Sequence, residues 1–267
     1  MTVSPLGSLV VVGTGPGHPD LMTPATAAAI ERATDLVGYG PYLDRIPARR
    51  GDQTRHASDN GVELDRARQA LELAARGRHV AVVSGGDPGV FAMAAAVFEA
   101  IEKGDPRWTA LDIRVEPGVT AMLAAAAAVG APLGGDFCAI SLSDNLKSRA
   151  TIERRIAAAA DGDFVIALYN PASRARPHQL GDALRLLRAR KPADTTVLFV
   201  RAAGTPNCTV VEATLDTADP GRADMRTLVI VGARSTRRVG RWIYTPRSEV
   251  ERPSASQRKA SPGVVTR

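Results

Sequence analysis

The feature that most constrains this chain is an alternation. Short runs of β-branched and aliphatic residues are separated, almost from end to end, by Ala- and Leu-rich segments with helical spacing. Strand-like runs fall at 9–12, 35–38, 79–84, 111–115, 137–142, 164–169, 195–200, 208–213 and 227–231. Helical segments fit 24–33, 62–76, 91–103, 119–129, 149–160 and 178–190. This order predicts an α/β fold with mostly parallel sheets, because parallel strands need crossovers long enough to hold a helix. The rhythm restarts after "EPGVTAM", where Gly118 follows Pro117, so two α/β domains are expected, 1–117 and 118–245. From Pro246 the chain turns to Pro, Ser and charge without periodicity, which predicts a disordered tail over 246–267.

Composition narrows the partners. Aromatic residues make up only 4%, so the core has to be built from Ala, Val, Leu and Ile. Lys and Arg number 34 against 28 Asp and Glu, a net charge of +6 that suits an anionic partner without singling out nucleic acid. A non-catalytic nucleotide- or RNA-binding protein would need interleaved aromatics for stacking bases, and these are nearly absent. Cys138 and Cys208 lack metal-ligand spacing and read as buried free thiols in a reducing compartment. No basic-then-apolar leader opens the chain, and no apolar run nears the ~18 residues of a membrane span. The expectation is a soluble, cytoplasmic protein.

The chemistry should lie in the loops that follow the strands. "LVVVGTGPGHPDLMTP" runs from a strand into Gly13, Gly15 and Gly17, with Pro16, His18 and Asp20 among them. A dinucleotide fingerprint needs glycine where His18 stands, and no Gly-Lys-Ser/Thr follows to make a P-loop. The next helix begins only after Thr23, which can cap it, with Pro24 in its first position. "VVSGGDPGVFAMA" exposes bare backbone at Gly85 and Gly86 beside the Asp87 carboxylate, which can accept from an ammonium or hydroxyl group or cap the following helix. Further polar loops follow at "VEPGVTAM", "AISLSDN" and "ALYNPASRAR". Ligands of parallel sheets bind beyond the carboxyl ends of the strands, where all five loops are placed by this reading.

In that order, "VVGTGPGHPDLMT", "VSGGDPGVFAMA", "EPGVTAM", "SLSD" and "LYNPAS" resemble the tetrapyrrole (precorrin) methylase family, the class III S-adenosylmethionine-dependent methyltransferases, over roughly residues 8 to 245. The resemblance implies two α/β domains with the active site in the cleft between them, usually as a homodimer. It implies S-adenosylmethionine as cofactor, leaving as S-adenosyl-L-homocysteine, held by Pro16, Gly85, Gly86, Asp87, Val90, Phe91, Thr120, Ala121, Leu142 and Asn170. Within the family, "GGDPGVFAMA" and "YNPAS" are similar to the branch that methylates precorrin-3B at C17 with ring contraction to precorrin-4. Another precorrin, a cobalt-precorrin or uroporphyrinogen III are the alternative substrates.

Methyl transfer needs an in-line approach by an electron-rich atom, and a pyrrole-derived carbon already is one. The protein then mainly supplies proximity and orientation, which can provide ~7–11 kcal/mol of the barrier. No activated Ser or Cys is required. Ring contraction should need proton transfers, for which Asp20, Asp144 and His18 are the candidates. Arg45, Arg49, Arg50 and Arg55 in "LDRIPARRGDQTR", with Arg174 after "NPAS", are candidate partners for the substrate carboxylates, which a guanidinium fork suits. Asp20 alone reads equally well as a turn or cap residue. His79 opens a strand and reads as structural. No metal site is expected.

Overall fold

The computed structural model describes residues 6–47, 51–59, 61–173 and 175–248. They cluster into two compact units, one within Met1–Ala128 with Val200–Thr209, the other within Val129–Phe199 with Val210–Arg267. The boundary lies between Ala128 and Val129, at the last residue of the helix 121–129. The backbone around Gly118 packs directly on Gly13 and Gly86 of the first unit.

The first unit is built on a five-stranded sheet of β1 (Ser8–Gly13), β2 (Asp35–Tyr39), β3 (Thr54–Ser58), β4 (His79–Ser84) and β5 (Asp112–Glu116), in the order β3-β2-β4-β1-β5. Every pairing in it is parallel. Helices α1 (Pro24–Arg32), α2 (Gly40–Leu43), α3 (Glu63–Ala75) and α4 (Met93–Lys103) join the strands, and α5 (Ala121–Val129) follows the last of them. Alternate residues of each central strand feed opposite cores. Leu9, Val11, Val80 and Val82 pack with Ala67, Leu71 and Val97 of α3 and α4. Val12, Ala81 and Val83 pack with Ala29, Ile30 and Leu43 of α1 and α2. Each fully buried leucine or valine of this kind contributes roughly 1.5–3 kcal/mol. As expected, Thr23 caps α1 by accepting from the Thr26 amide at 3.1 Å, and Pro24 opens it.

The strand order matters for function. From β1 the chain crosses over β4 to reach β2, and from β4 it crosses over β1 to reach β5. The two connections leave in opposite directions, so β1 and β4 flank a topological switch point, where a crevice opens beyond the strand ends.

The second unit holds, apart from Val200, Arg201 and Thr209, a five-stranded sheet of β7 (Phe137–Ser141), β8 (Val165–Tyr169), β9 (Thr196–Arg201), β10 (Thr209–Thr214) and β11 (Thr227–Val231), ordered β10-β9-β11-β8-β7. It is mixed, since β7 and β8 are parallel but β8 and β11 antiparallel. Helices α6 (Arg149–Asp161) and α7 (Gln179–Arg188) bury Ile152, Ile156, Leu180, Leu184 and Leu187 against it. A smaller sheet joins β6 (Gly130–Ala131), β12 (Arg237–Val239) and β13 (Trp242–Tyr244). Cys138 and Cys208 are free but only partly buried, a correction to the expected burial. Burial still pushes the Cys138 thiol up, against the opposing charge of Lys191. Of the 246–267 tail, residues 249–267 lie outside the described residues.

Candidate active site

At the switch point the loops after β1, β4 and β5 are locked together by backbone. The Gly15 amide donates to the Gly86 carbonyl at 3.2 Å, and the Gly86 amide returns a bond to Gly15 at 2.8 Å. A Cβ on Gly13 would lie 2.7 Å from the Gly118 nitrogen and the Gly86 oxygen, so no side chain fits there. The Asp87 carboxylate ties the remaining loop: Oδ1 accepts from the Gly89 amide at 2.8 Å and Oδ2 from the Gly118 amide at 3.1 Å. Both oxygens are thus engaged by backbone, which makes Asp87 a brace between loops.

Gly86 differs from its neighbours. Its φ is +65°, and a Cβ built on it would meet nothing closer than the Thr120 Cα at 3.8 Å and the Ala121 nitrogen at 3.9 Å. A side chain the size of a methyl would thus just touch the backbone of Thr120 and Ala121, at the start of α5. The Gly86 amide and one lone pair of its carbonyl are taken by Gly15, so what the corner offers a polar ligand is close approach to backbone without a side chain in the way. Phe91 follows in the left-handed region with φ +54° and half its surface exposed, and Val90 is half-buried. A non-glycine residue held at positive φ stores strain of the kind that collects at ligand sites.

The far end of the first loop rests on a segment that sequence reasoning missed. The His18 amide donates to the Gly204 carbonyl at 2.9 Å, and a Cβ on Gly204 would come 2.3 Å from Pro16 Cγ. Ala202 has φ +52°, and its carbonyl accepts from the Thr205 hydroxyl at 2.8 Å. "AAGTPN" after a strand carried a glycine and proline signal, but no acid or repeated glycine to mark it as more than a turn. His18 Nδ1 accepts from the Asp20 amide at 3.3 Å, capping a short turn. The Asp20 carboxylate stands 3.6 Å from that nitrogen and is 87% exposed.

In the second unit, the loops after β7 and β8 form their own cluster. Asn170 sits at φ +52° and its amide donates to the buried Ser141 hydroxyl at 2.9 Å. Ser143 donates its backbone amide to the same oxygen at 3.3 Å. Leu142 has its side chain in the hydrophobic core, leaving only its backbone for a ligand, and its amide is taken by the Tyr169 carbonyl at 2.9 Å. Arg176 donates to the Ser143 hydroxyl and stands 4.0 Å from the Asp144 carboxylate, which also accepts from Gln179.

The arginines separate. Arg45 lies over the Tyr42 ring, 5.5 Å from its centre. Arg55 instead donates both arms of its fork to the Leu43 and Ile46 carbonyls at 2.8 Å each, so it holds the turn that carries Arg45. Arg49, Arg50 and Arg174 lie outside the described residues. His79 has its Nδ1 2.9 Å from the Ser8 hydroxyl. Among the described residues no group of three or more His, Cys, Asp or Glu side chains could hold a metal, and no helix is long and apolar enough to cross a membrane. A cavity of about 550 Å³ lined by Ser8, Arg32, His79 and Arg114 lies at the amino ends of β1, β4 and β5, away from the glycine corner.

The model of the tetrapyrrole (corrin/porphyrin) methylases matches residues 8–219. The precorrin-3B C(17)-methyltransferase of Sinorhizobium sp is 58% identical over 246 residues, covering 90% of this chain and 96% of that protein. The probable cobalt-factor III C(17)-methyltransferase of Salmonella typhimurium is 41% identical over 239 residues, covering 90% and 98%. Among solved structures, the methyltransferase CobJ matches with a TM-score of 0.87 at 56% identity, covering 90% of this chain and all of that one. The chain with this glycine corner belongs to the tetrapyrrole (corrin/porphyrin) methylase family.

Proposed function

We propose that the protein is an S-adenosylmethionine-dependent C-methyltransferase of cobalamin biosynthesis, which methylates precorrin-3B at C17 with ring contraction to precorrin-4. The observation that carries this reading is the 58% identity spread over 96% of a relative of that name. The cobalt-substrate relative is also matched over nearly its whole length, but at 41%.

When bound, S-adenosylmethionine supplies a methyl group on a positively charged sulfur, ready for attack by carbon. The chain's residues hold and orient it. Gly85, Gly86 and Thr120–Ala121 offer backbone beside the glycine corner, and the resemblance assigns Pro16, Val90 and Phe91 to the same ligand. Asp87 acts through the loops it braces. Leu142, by its backbone, and Asn170 are assigned to the same ligand on the strength of the resemblance. His18 has Nδ1 turned back to the chain, which leaves Nε2 for proton transfer, with Asp20 and Asp144 as carboxylates for the ring contraction. Arg45, Arg49, Arg50 and Arg174 meet the substrate carboxylates, and Arg55 positions that turn. We assign the protein to the cytoplasm as a homodimer.

The test is incubation with precorrin-3B and methyl-labelled donor. Labelled, ring-contracted product of the expected mass supports the reading. Turnover of a cobalt-bearing or other tetrapyrrole in its place reassigns the substrate, and absence of label transfer to any tetrapyrrole overturns it.

A further inference from the structure

The turn after β2 carries a side chain that neither the motifs nor the assignments above use. Leu43 and Ile46 anchor it in the core at 2% and 4% exposure, and Arg55 clamps their carbonyls. The turn presents Tyr42, whose ring meets Tyr39 edge to face at 5.3 Å and 88°. The phenol end reaches the second glycine loop: a Cβ on Gly85 would lie 2.6 Å from Tyr42 Cζ and 3.0 Å from its oxygen. Gly85 is therefore bare because Tyr42 occupies its side-chain space. Arg45, lying over the same ring, reaches the first loop, with its Nη1 3.7 Å from where a Gly17 Cβ would stand. Among the described residues no hydrogen bond is made by the Tyr42 hydroxyl, and no carboxylate pairs with Arg45.

We propose that Tyr42 and Arg45 form one carboxylate receptor beside the glycine corner, which takes an acidic arm of the tetrapyrrole. The phenol donates one hydrogen bond and the guanidinium a charged one, and the clamped turn fixes their spacing before the ligand arrives. Tyrosine's two side-chain torsions and the packed ring keep the ordering cost low. Arg45 lies across the ring face, so the aromatic quadrupole helps hold the cation in place. The proposal rests on the tetrapyrrole reading above. It adds a contact residue, Tyr42, and a reason why Gly85 is glycine.

The experiment uses the full chain with two probes, uroporphyrin III as a stable polycarboxylate macrocycle and S-adenosyl-L-homocysteine as the donor-site ligand. Fluorescence titration reads the first and calorimetry the second, with thermal midpoints as the check on folding. Tyr42→Phe keeps the ring and removes only the hydroxyl. It should weaken uroporphyrin binding about tenfold, the size of one hydrogen bond to a charged group, and raise KM for precorrin-3B. Arg45→Gln should cost at least as much, Arg45→Lys should recover part of it, and the double variant should lose less than the product of the single losses. S-adenosyl-L-homocysteine affinity should stay unchanged in all of them. Unaltered uroporphyrin binding by both single variants overturns the receptor while leaving the methylase reading intact. A loss confined to S-adenosyl-L-homocysteine overturns it too, because the carboxylate recognised would then be the donor's. If the unmodified protein binds no tetrapyrrole, the substrate reading falls and takes the receptor with it.

Discussion

Gly15 and Gly86 bond to each other through both amides, at 3.2 and 2.8 Å, and so join the loops that leave the sheet on either side of its switch point. Gly118 closes the same knot from the third loop. An alanine there would put its methyl carbon 2.2 Å from the Gly86 oxygen and 2.7 Å from the Gly13 oxygen, both of them backbone that cannot swing aside.

The two positions should therefore respond differently to the same change. Gly118→Ala is expected to destabilise the protein by about 2–3 kcal/mol through overpacking. Gly86→Ala meets no atom within 3.8 Å and bears only the left-handed backbone penalty of about 1–2 kcal/mol. Its methyl would nevertheless enter the space assigned to the donor. Unfolding curves should rank Gly118→Ala as the worse variant, while calorimetric titration with S-adenosyl-L-homocysteine should show at least a tenfold loss for Gly86→Ala. Normal donor affinity in Gly86→Ala would move the donor out of this space.

Asp87 gives a second separation. With both carboxylate oxygens on backbone amides, its removal should loosen the loops before any ligand is present. Asp87→Ala is expected to cost about 1–2 kcal/mol in the ligand-free protein, chiefly from the partly buried Gly118 amide because the exposed Gly89 amide turns to water, and Asp87→Asn less. A direct bond to the donor's ammonium would give the opposite pattern, lost affinity at unchanged stability.

At the other end of the sheet, Asp35 makes the protein acid-sensitive. Its side chain is 3% exposed and is bonded by His56 at 2.9 Å, Thr34 at 2.7 Å and Arg78 at 2.7 Å. Burial alone would raise its carboxyl, but the bonds from His56, Thr34 and Arg78 together with the Arg78 charge outweigh it and hold the pKa below 3.8. A depressed folded-state pKa stabilises above the unfolded value, and that contribution is lost as pH falls through the folded one. Stability measured by denaturant should fall from about pH 4 downward, and Asp35→Asn should flatten that slope while lowering stability at neutral pH by about 3 kcal/mol. An unchanged acid slope in the variant would assign the sensitivity to other carboxylates.

Much of this architecture was legible because its signals are local. The expected strand at 79–84 is β4 to the residue, and the helix expected at 149–160 is α6 with one residue more. The exception in the first sheet is β3, "TRHAS", an edge strand whose Arg55 and His56 point to polar partners and erase the apolar pattern. The short strands β6, β12 and β13 offer too few residues for a period to emerge. The glycine loops announced themselves by composition, but their interlocking did not. Tyr42 meets Gly85, and Gly204 meets Pro16, across stretches of chain that no periodicity connects. Asp87 was readable as an acid beside glycines, yet only coordinates show that its oxygens face backbone.

Asn170 offers the last test, because its conformation and its side chain can be varied separately. Its φ of +52° favours glycine, and its amide makes one bond, to Ser141 Oγ. Asn170→Gly removes that bond, worth about 1 kcal/mol, but relieves a left-handed penalty of similar size, so stability should barely change. Asn170→Ala keeps the penalty and loses the bond, and should be less stable by about 1–2 kcal/mol. If the carboxamide also contacts the donor, both variants should bind S-adenosyl-L-homocysteine about tenfold more weakly, and the glycine variant should do so at full stability. If affinity instead follows stability across the pair, Asn170 serves to shape the loop, and the donor is held by backbone alone.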